Sequence, residues 1–517
     1  MNRVVKIGSR GSDLALWQAN FFQGQLDSIG VDSEIIIIKT KGDRIQHLSF
    51  DKIEGKGFFT KEIEEQLLNG DIDIAIHSHK DLETQSPEGL TIAGVSYREN
   101  PAELLLTRKE CVDLSLPLQF KANAIIGTSS ARRKAQVTAL RPDITIKDIR
   151  GNVPTRIDKL RSGDFDAILL AAAGVSRLNL NVSDLHVQTL DTTLFIPAPA
   201  QGVLAYQTRD SDQELIDVLQ ELHHQDVKNA IDIERGILSG FGGGCHIPIG
   251  VHATPNGDSF TVRATFAREW EQFSKRVRFE AKNKIEALQI FDSLKEKALP
   301  KTVFISRSLK ADSFIKRGCE AHGVQLTHQS LIETKIVKAA LPSQAFDWVF
   351  FASSNAVNFF FEQFDAKALT GKKIGVYGIG TANTLGQFVD QIDFIGSEGA
   401  PDEVAQGFAE TVGDAKVLFP CSNISKQSIQ NALKAENVLN MTVYSTEETN
   451  GNIGAQEAYC FTSPSNVRSF FNGGNQIAAS AKVIAIGTRT AAELSKNSIN
   501  ATVAEQPHEA EIFTLLA

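Results

Sequence analysis

Paired cysteines, long apolar runs and a basic surplus are all missing from this 517-residue chain. Its five cysteines, Cys111, Cys245, Cys319, Cys421 and Cys460, are scattered without a CxxC pair. That argues against both a disulfide framework and a zinc site, so no metal is expected. No apolar stretch approaches the ~18 residues needed to span a bilayer, and no membrane partner is expected. The N-terminal MNRVVKIGSR enters a strand-like run at once, without the charged-then-apolar order of an export signal. The cytoplasm is the simplest compartment. A net charge of −9 argues against a general nucleic-acid binder, although it leaves room for a local basic field.

What remains is ordinary globular composition, 42% hydrophobic and 22% charged, in a chain too long for one core. Roughly three to five domains of about 100–150 residues are expected. Short β-branched runs alternate with amphipathic stretches, which is an α/β pattern. Strands are predicted at Val4–Ile7 and Glu34–Ile38 around a helix over Asp13–Ile29, whose Leu14, Leu16, Trp17, Phe21, Leu26 and Ile29 can share an apolar face. A helix at Lys61–Leu68 and a strand at Ile72–Ile76 follow. A similar unit runs through Ala124–Gly127, Ala131–Leu140, Thr145–Asp148, Val153–Ser162 and Ala167–Ala172. Pro197–Gly202 reads as a crossing segment, since each proline fixes φ. Beyond Gln225 the pattern becomes a small α+β domain, with helices Asp226–Leu238 and Lys284–Leu299 around three strands.

From Lys301 a fresh α/β pattern begins, with a strand Val303–Ile305 and a helix Lys310–Gly323. It contains two internal echoes. Trp348–Asn355 resembles Cys460–Asn466, each followed by an aromatic helix start, and Val376–Thr381 resembles Ile484–Thr488. Both pairs place a turn between a strand and a helix, as a duplicated lobe would.

Four constellations could carry chemistry. Between Thr128 and Arg177 stand ten Lys/Arg and five Asp, a net of +5. Arg132, Arg133, Arg150, Arg156 and Arg177 fall at strand ends or helix starts, where α/β sheets bind ligands. Thr128 and Ser130 add hydroxyls at a helix N-terminus. Guanidinium groups pair bidentately with carboxylates, so a polycarboxylate is one reading; phosphate fits as well, and so does a solvated face paired to Asp143, Asp148 and Asp158. His77-Ser-His-Lys-Asp81 closes the Ile72–Ile76 strand. Alternation would put His77 and His79 on one face, where a metal pair is conceivable but has no third ligand near in sequence, and Asp81 beside Lys80 could act as acid/base or stabilise a cation. Taken by itself, a structural ion pair explains it better. In FGGGCHIPIG, three glycines leave the Cys245 thiol open to a large group, whereas the other cysteines read as small core residues. Gly55 and Gly57 around Lys56 suggest a lid, or a plain connection.

These segments in order resemble hydroxymethylbilane synthase, also called porphobilinogen deaminase. The resemblance rests on IGSRGSDLALWQA at 7–19, TKGDR at 40–44, GKGFFTKEIE at 55–64, IHSHKDLE at 76–83 and IGTSSARRKAQ at 126–136. It continues through RGNVPTR at 150–156, LLAAAGVSRL at 169–178, PAPAQG at 197–202 and GGGCHIPIG at 242–250. It implies two domains of the type II periplasmic-binding-protein kind, at 1–98 with 197–220 and at 99–196, followed by a small α+β cofactor domain at 221–300. The resemblance implies a dipyrromethane cofactor held as a thioether on Cys245, Asp81 as the catalytic carboxylate, and porphobilinogen as substrate. Lys80, Asp43, Thr128, Ser130, Arg132, Arg133 and Arg156 would contact the cofactor, and Arg10, Ser12, Gln18, Phe59, Arg150 and Arg177 the substrate. His79 stands where that family more often has an apolar residue. A monomer without nucleic-acid partners is expected.

The remaining chain resembles uroporphyrinogen III synthase through FDWVFFASSNAV at 346–357, YGIGT at 377–381, VYSTEE at 443–448 and CFTSPSNVRSFF at 460–471. That implies a bilobed α/β module, with one lobe from 301–332 and 445–517 and the other from 335–440. Tyr444, Thr462, Ser463 and Ser465 become cleft candidates, although helix caps and strand-end turns explain them as well. The alternatives are a tail without catalysis, or an anion-binding protein throughout.

Overall fold

Several helices in this protein begin at a side chain that caps them. In the computed structural model, which describes residues 3–40, 60–242, 247–396, 401–449 and 451–517, Ser12, Ser130, Asn152 and Asn283 each accept a hydrogen bond from the backbone N–H three residues on. Such a bond satisfies one of the donors left open at a helix start. The helices Asp13–Ser28, Ala131–Leu140, Val153–Arg161 and Lys284–Glu296 follow from those caps.

The first sheet runs in the order Ser33–Ile38, Val5–Arg10, Ile74–Ser78, Leu204–Arg209, Leu90–Val95. Its first three strands are parallel, and Leu204–Arg209 is antiparallel to both neighbours. The second sheet repeats the plan: Thr145–Lys147, Ile125–Gly127, Ala167–Ala171, Glu103–Arg108, Leu185–Leu190, with Glu103–Arg108 antiparallel to both neighbours. The chain therefore leaves the first sheet after Val95 to build the second, and returns through 191–203 to insert Leu204–Arg209. Two crossings between two such sheets give the two-domain, cleft-forming arrangement expected of a type II binding-protein fold. Gly202 sits at the returning crossing with φ +88°, and a Cβ there would lie 2.2 Å from Glu99 O, so only glycine fits.

The third sheet is antiparallel, Ile249–Asn256, Ser259–Phe266, Lys275–Ala281. The helices Gln225–Ser239 and Lys284–Glu296 cover its apolar face through Ile233, Ile237, Ala287 and Phe291.

The C-terminal region holds two further sheets. One is wholly parallel: Gln325–His328, Thr302–Ile305, Ala458–Phe461, Lys482–Ala485, Thr502–Val503. The other runs Ile332–Ile336, Val438–Glu448, Val417–Ser422, Trp348–Phe351, Lys373–Val376, Phe394–Ile395. Ile332 pairs with Glu448 in it, so the second lobe's sheet extends past 335–440 at both ends. The internal echoes are structural repeats. Ser353 and Ser463 cap equivalent helices with φ near −161° and −162°, and Gly378 and Gly487 open the next ones, both with φ −174°.

Two expectations need correction. In the helix Asp13–Ser28 the buried residues are Gln18, Ala19, Phe22 and Leu26, while Leu14, Leu16, Trp17 and Phe21 are only half-buried. The buried stripe lies one position round the helix: Trp17 stacks on Phe21 at 5.3 Å and lies under Arg177 of the second domain, while Phe21 packs at the edge of the first core. The strand ending at 76 runs instead from Ile74 to Ser78, and His79 begins a one-turn 3₁₀ helix, His79–Asp81. His77 and His79 therefore do not share a strand face. Among the described residues no helix is long and apolar enough to cross a membrane.

Candidate active site

Asp81 stands exposed on the 3₁₀ turn at the carboxyl end of Ile74–Ser78, the end at which α/β sheets bind ligands. The turn is held by its backbone. His79 N–H donates to Val203 O at 2.9 Å, and Arg235 donates through Nη1 to His79 O at 3.0 Å and Leu82 O at 3.3 Å. Gln18 Nε2 donates to Ser78 Oγ at 2.9 Å, tying the first helix to the same strand end.

Lys80 carries the site across to the second domain. Its Nζ donates to Gln201 Oε1 at 3.3 Å. Gln201, fully buried on the returning crossing, donates to Pro101 O at 2.7 Å and to Glu103 Oε1 at 3.1 Å. Glu103 in turn accepts from Arg132 Nη2 at 2.5 Å and Arg133 Nη2 at 2.7 Å. Burial alone would raise its pKa, but Arg133, then Arg132 and Lys80, hold the carboxyl at about 2. Sequence reasoning singled out neither Glu103 nor Gln201. The available signal was a lone carboxylate opening the otherwise apolar ELLL of a buried strand.

Among the described residues, cations outnumber carboxylates here. Lys80, Arg132, Arg133, Arg150 and Arg156 share the region with Asp81 and Glu103. Burial lowers Lys80's pKa, opposed by Asp81 and reinforced by Arg133. Burial also takes Arg156 down to about 10, helped by Arg133 and Arg150 and opposed by Asp81. Burial is the main cause of these depressions, with the neighbouring cations adding to it at Arg156, and an anionic ligand would offset both. The commitments differ, however. Arg132 spends both terminal nitrogens on Glu103 and Ile196 O. Arg133 donates to Leu169 O at 3.0 Å, and its buried Nε has no hydrogen-bond partner among the described residues. Arg156 binds Gly151 O through Nε at 2.8 Å.

The other expected residues are dispersed around this centre. Arg10 ends the strand Val5–Arg10 and lies near enough to His77 to lower its pKa. Ser12 and Ser130 act as helix caps, and Thr128 Oγ1 accepts from Ser130 N–H at 3.3 Å. Arg177 donates to Gly202 O at 2.7 Å and lies 5.5 Å over the Trp17 ring, bridging the two domains at the crossing. Asp43, Phe59 and Cys245, with the 51–59 part of the lid segment, lie outside the described residues.

His77 is buried and shares a 3.0 Å hydrogen bond with Gln207. Burial, against that bond, lowers its pKa from 6.5 to about 4, and burial does the same at His252. Both folded values lie below the unfolded one, so the unfolded chain takes up protons first. Their contribution is complete above pH ~6.5 and is lost as pH falls toward 4. Denaturant melts between pH 7 and pH 4 are expected to show stability falling by up to about 3 kcal/mol per histidine. A flat profile would refute buried neutral imidazoles.

In the C-terminal module, Tyr444 stacks on Phe359 at 5.1 Å, with its hydroxyl 3.4 Å from Ser353 Oγ. Thr462 Oγ1 donates to Ser306 O at 3.0 Å. Ser463 caps Pro464–Asn472, and Ser465 accepts from Arg468 Nη2 at 3.2 Å. Tyr444 and Ser353 belong to one lobe, Thr462, Ser463 and Ser465 to the other. These side chains offer hydroxyls and no carboxylate or imidazole, so they can orient a substrate by hydrogen bonds.

Comparison with known proteins follows the same division. The model for the porphobilinogen deaminase, dipyromethane cofactor binding domain matches residues 5–217, and that for the porphobilinogen deaminase C-terminal domain matches 229–299. The model for uroporphyrinogen-III synthase HemD matches 279–514. Porphobilinogen deaminase of Syntrophomonas wolfei is 45% identical over 267 residues, covering 51% of this chain and 85% of that protein. The Streptococcus sanguinis protein of the same name is 39% identical over 270 residues, covering 52% of this chain and 87% of its own. Uroporphyrinogen-III synthetase of Helicobacter pylori is among the similar solved structures, at 18% identity and a TM-score of 0.32, covering 41% of this chain and 96% of that one.

Proposed function

Because the chain belongs to the porphobilinogen deaminase family and continues into a uroporphyrinogen-III synthase domain, we propose that it builds a linear tetrapyrrole on a primer at Cys245 and then closes it. The first half is a transferase that condenses porphobilinogen, and a dipyrromethane-binding domain is part of it. Attachment through the Cys245 sulfur and the roles of individual residues are our reading. The cytoplasm and a monomeric state are the simplest setting.

The observation that carries this reading is the joined set Asp81, Lys80, Gln201, Glu103 and Arg133, which spans both crossings between the two domains. A dipyrromethane bears several carboxylates, and the cation excess with the unsatisfied Arg133 Nε suits such a group. When bound, it supplies a free pyrrole carbon as nucleophile. Lys80, Arg133, Arg150 and Arg156 bind and orient carboxylates. Arg132 acts by holding Glu103, and Arg10 and Arg177 flank the cleft. Asp81 presents its carboxylate where ammonia leaves porphobilinogen. There it moves a proton at the amino nitrogen and stabilises the positive charge that develops on the pyrrole. Each addition brings two more carboxylates, which accounts for more cations than one substrate needs. Four additions and a hydrolysis release the product, and the primer remains.

The purified chain incubated with porphobilinogen, followed by oxidation and separation of uroporphyrin isomers, is expected to give isomer III. Isomer I alone would restrict activity to the first half, and no consumption would reject the reading. Intact mass is expected to exceed the sequence mass by one dipyrromethane, and Cys245→Ser is expected to abolish that increment together with turnover. An unchanged adduct in Cys245→Ser would move the attachment elsewhere.

A further inference from the structure

The cofactor-domain sheet has one apolar face against its helices and one cationic face. Arg263 and Arg278 are register partners on adjacent strands, and Arg276 lies two residues from Arg278, so all three project to the same side. In a free-standing domain these guanidiniums would repel one another. Here the C-terminal segment covers them. Glu505 pairs with Arg263 and, at 2.5 Å, with Arg278. Glu511, fully buried on the helix Glu509–Thr514, lies 3.5 Å from Arg278.

Arg276 is a three-way junction. It is 3% exposed, and its Nε donates to Thr514 Oγ1 at 3.0 Å. Its Nη1 and Nη2 donate to Leu194 O at 3.2 Å and Thr193 O at 2.6 Å in the second domain. One side chain thus joins three parts of the chain. Thr193 Oγ1 also lies 3.1 Å from His508 Nε2, and Arg317 donates to Ala139 O.

An apolar plug stands beside this junction. Phe273, on the turn between the second and third strands of the cofactor sheet, meets Phe314 at 4.8 Å and Phe513 at 5.6 Å between ring centroids. The approach is tight: a Cβ on Gly318 would come within 2.9 Å of Phe273 and 2.8 Å of Phe513. Ala139, Leu140 and Leu194 pack into the same core as Ile315 and Phe513.

We propose that the synthase module is a brace for the deaminase half, its C-terminal helix clamping the second domain to the cofactor domain so that the two modules form one non-covalently locked body. Complementary charge, a buried junction and a shared apolar core are the marks of a permanent interface and not of a tether between independent units. The brace does not depend on what Cys245 carries, so its failure and that of the functional reading are separable.

The test is to place a protease site at the exposed Lys297–Ala298 link of the full chain, cleave it, and run size exclusion at about 1 µM. Both fragments are expected to co-elute at the volume of the uncut chain. Separation of fragments that are each still folded by circular dichroism would overturn the proposal. In the cut chain, Glu505→Gln with Thr514→Val is expected to speed fragment dissociation at least ~10-fold, the equivalent of about 1.4 kcal/mol. An unchanged dissociation rate would overturn the clamp as drawn. In the uncut chain, Arg276→Met is expected to raise amide hydrogen exchange together at 193–196 and 509–515, and a rise on one side alone would likewise overturn it.

Discussion

Asp81→Ala is expected to lower porphobilinogen turnover by about 10²–10⁴-fold while the chain stays folded, with unfolding shifted by about 1 kcal/mol. The two effects separate because Asp81 is exposed and its turn is held by other groups. His79 N–H on Val203 O and Arg235 on His79 O and Leu82 O fix the backbone without the carboxylate. What the substitution removes is the anion that most favours the charged form of Lys80 and that also supports Arg156. Steady-state kinetics with a parallel thermal melt checks both halves of the expectation. Asp81→Asn keeps the shape and removes the charge, and it should fall with the alanine variant if electrostatics carries the role. Near-normal turnover in either variant would remove Asp81 from the chemistry.

A stability loss of about 3–5 kcal/mol is expected for Glu103→Gln. The carboxylate is fully buried, so its replacement leaves Arg132 and Arg133 facing each other without compensation. The amide keeps the volume, and a cavity cannot account for the loss. The pH dependence distinguishes this from a packing effect. With a folded pKa of about 2 against 4.5, Glu103 contributes fully above pH ~4.5 and loses that contribution only as pH falls toward 2. Wild type and variant should therefore differ by a constant amount from pH 7 to about 5 and converge in strong acid. Urea melts of the two proteins at several pH values read this directly. Equal stability at pH 7 would mean that the arginines are compensated by other groups.

Part of the candidate site is legible in the order of the residues alone. The position of Asp81 at a strand end, the caps Ser12 and Ser130, and the cation-rich stretch from Thr128 to Arg177 are local properties. Period, capping and charge density act within a few residues, so they survive in the order of the chain. The same holds for the paired Ser353/Ser463 and Gly378/Gly487 turns, which repeat because each must end one strand and start one helix.

Other assignments needed the third dimension. Arg132 reads from sequence as a ligand contact, yet it is turned onto Glu103 and Ile196 O, 29 and 64 residues away. Trp17 reads as core, yet it lies under Arg177 of the second domain. His79 reads as a strand partner of His77, yet the strand ends between them.

Composition and the nine ordered motifs determined by themselves that this chain is not a disulfide scaffold, and that its halves resemble two enzymes acting on tetrapyrroles. The scarcity of cysteine also left Cys245 conspicuous. Only the tertiary structure decided which charges meet: that Glu103 gathers Lys80, Gln201 and the two arginines, and that Glu505, Glu511 and Arg276 weld the halves together. Helix caps and strand periods are satisfied by near neighbours, whereas a buried ion must find its counter-ion wherever the fold brings one within about 4 Å.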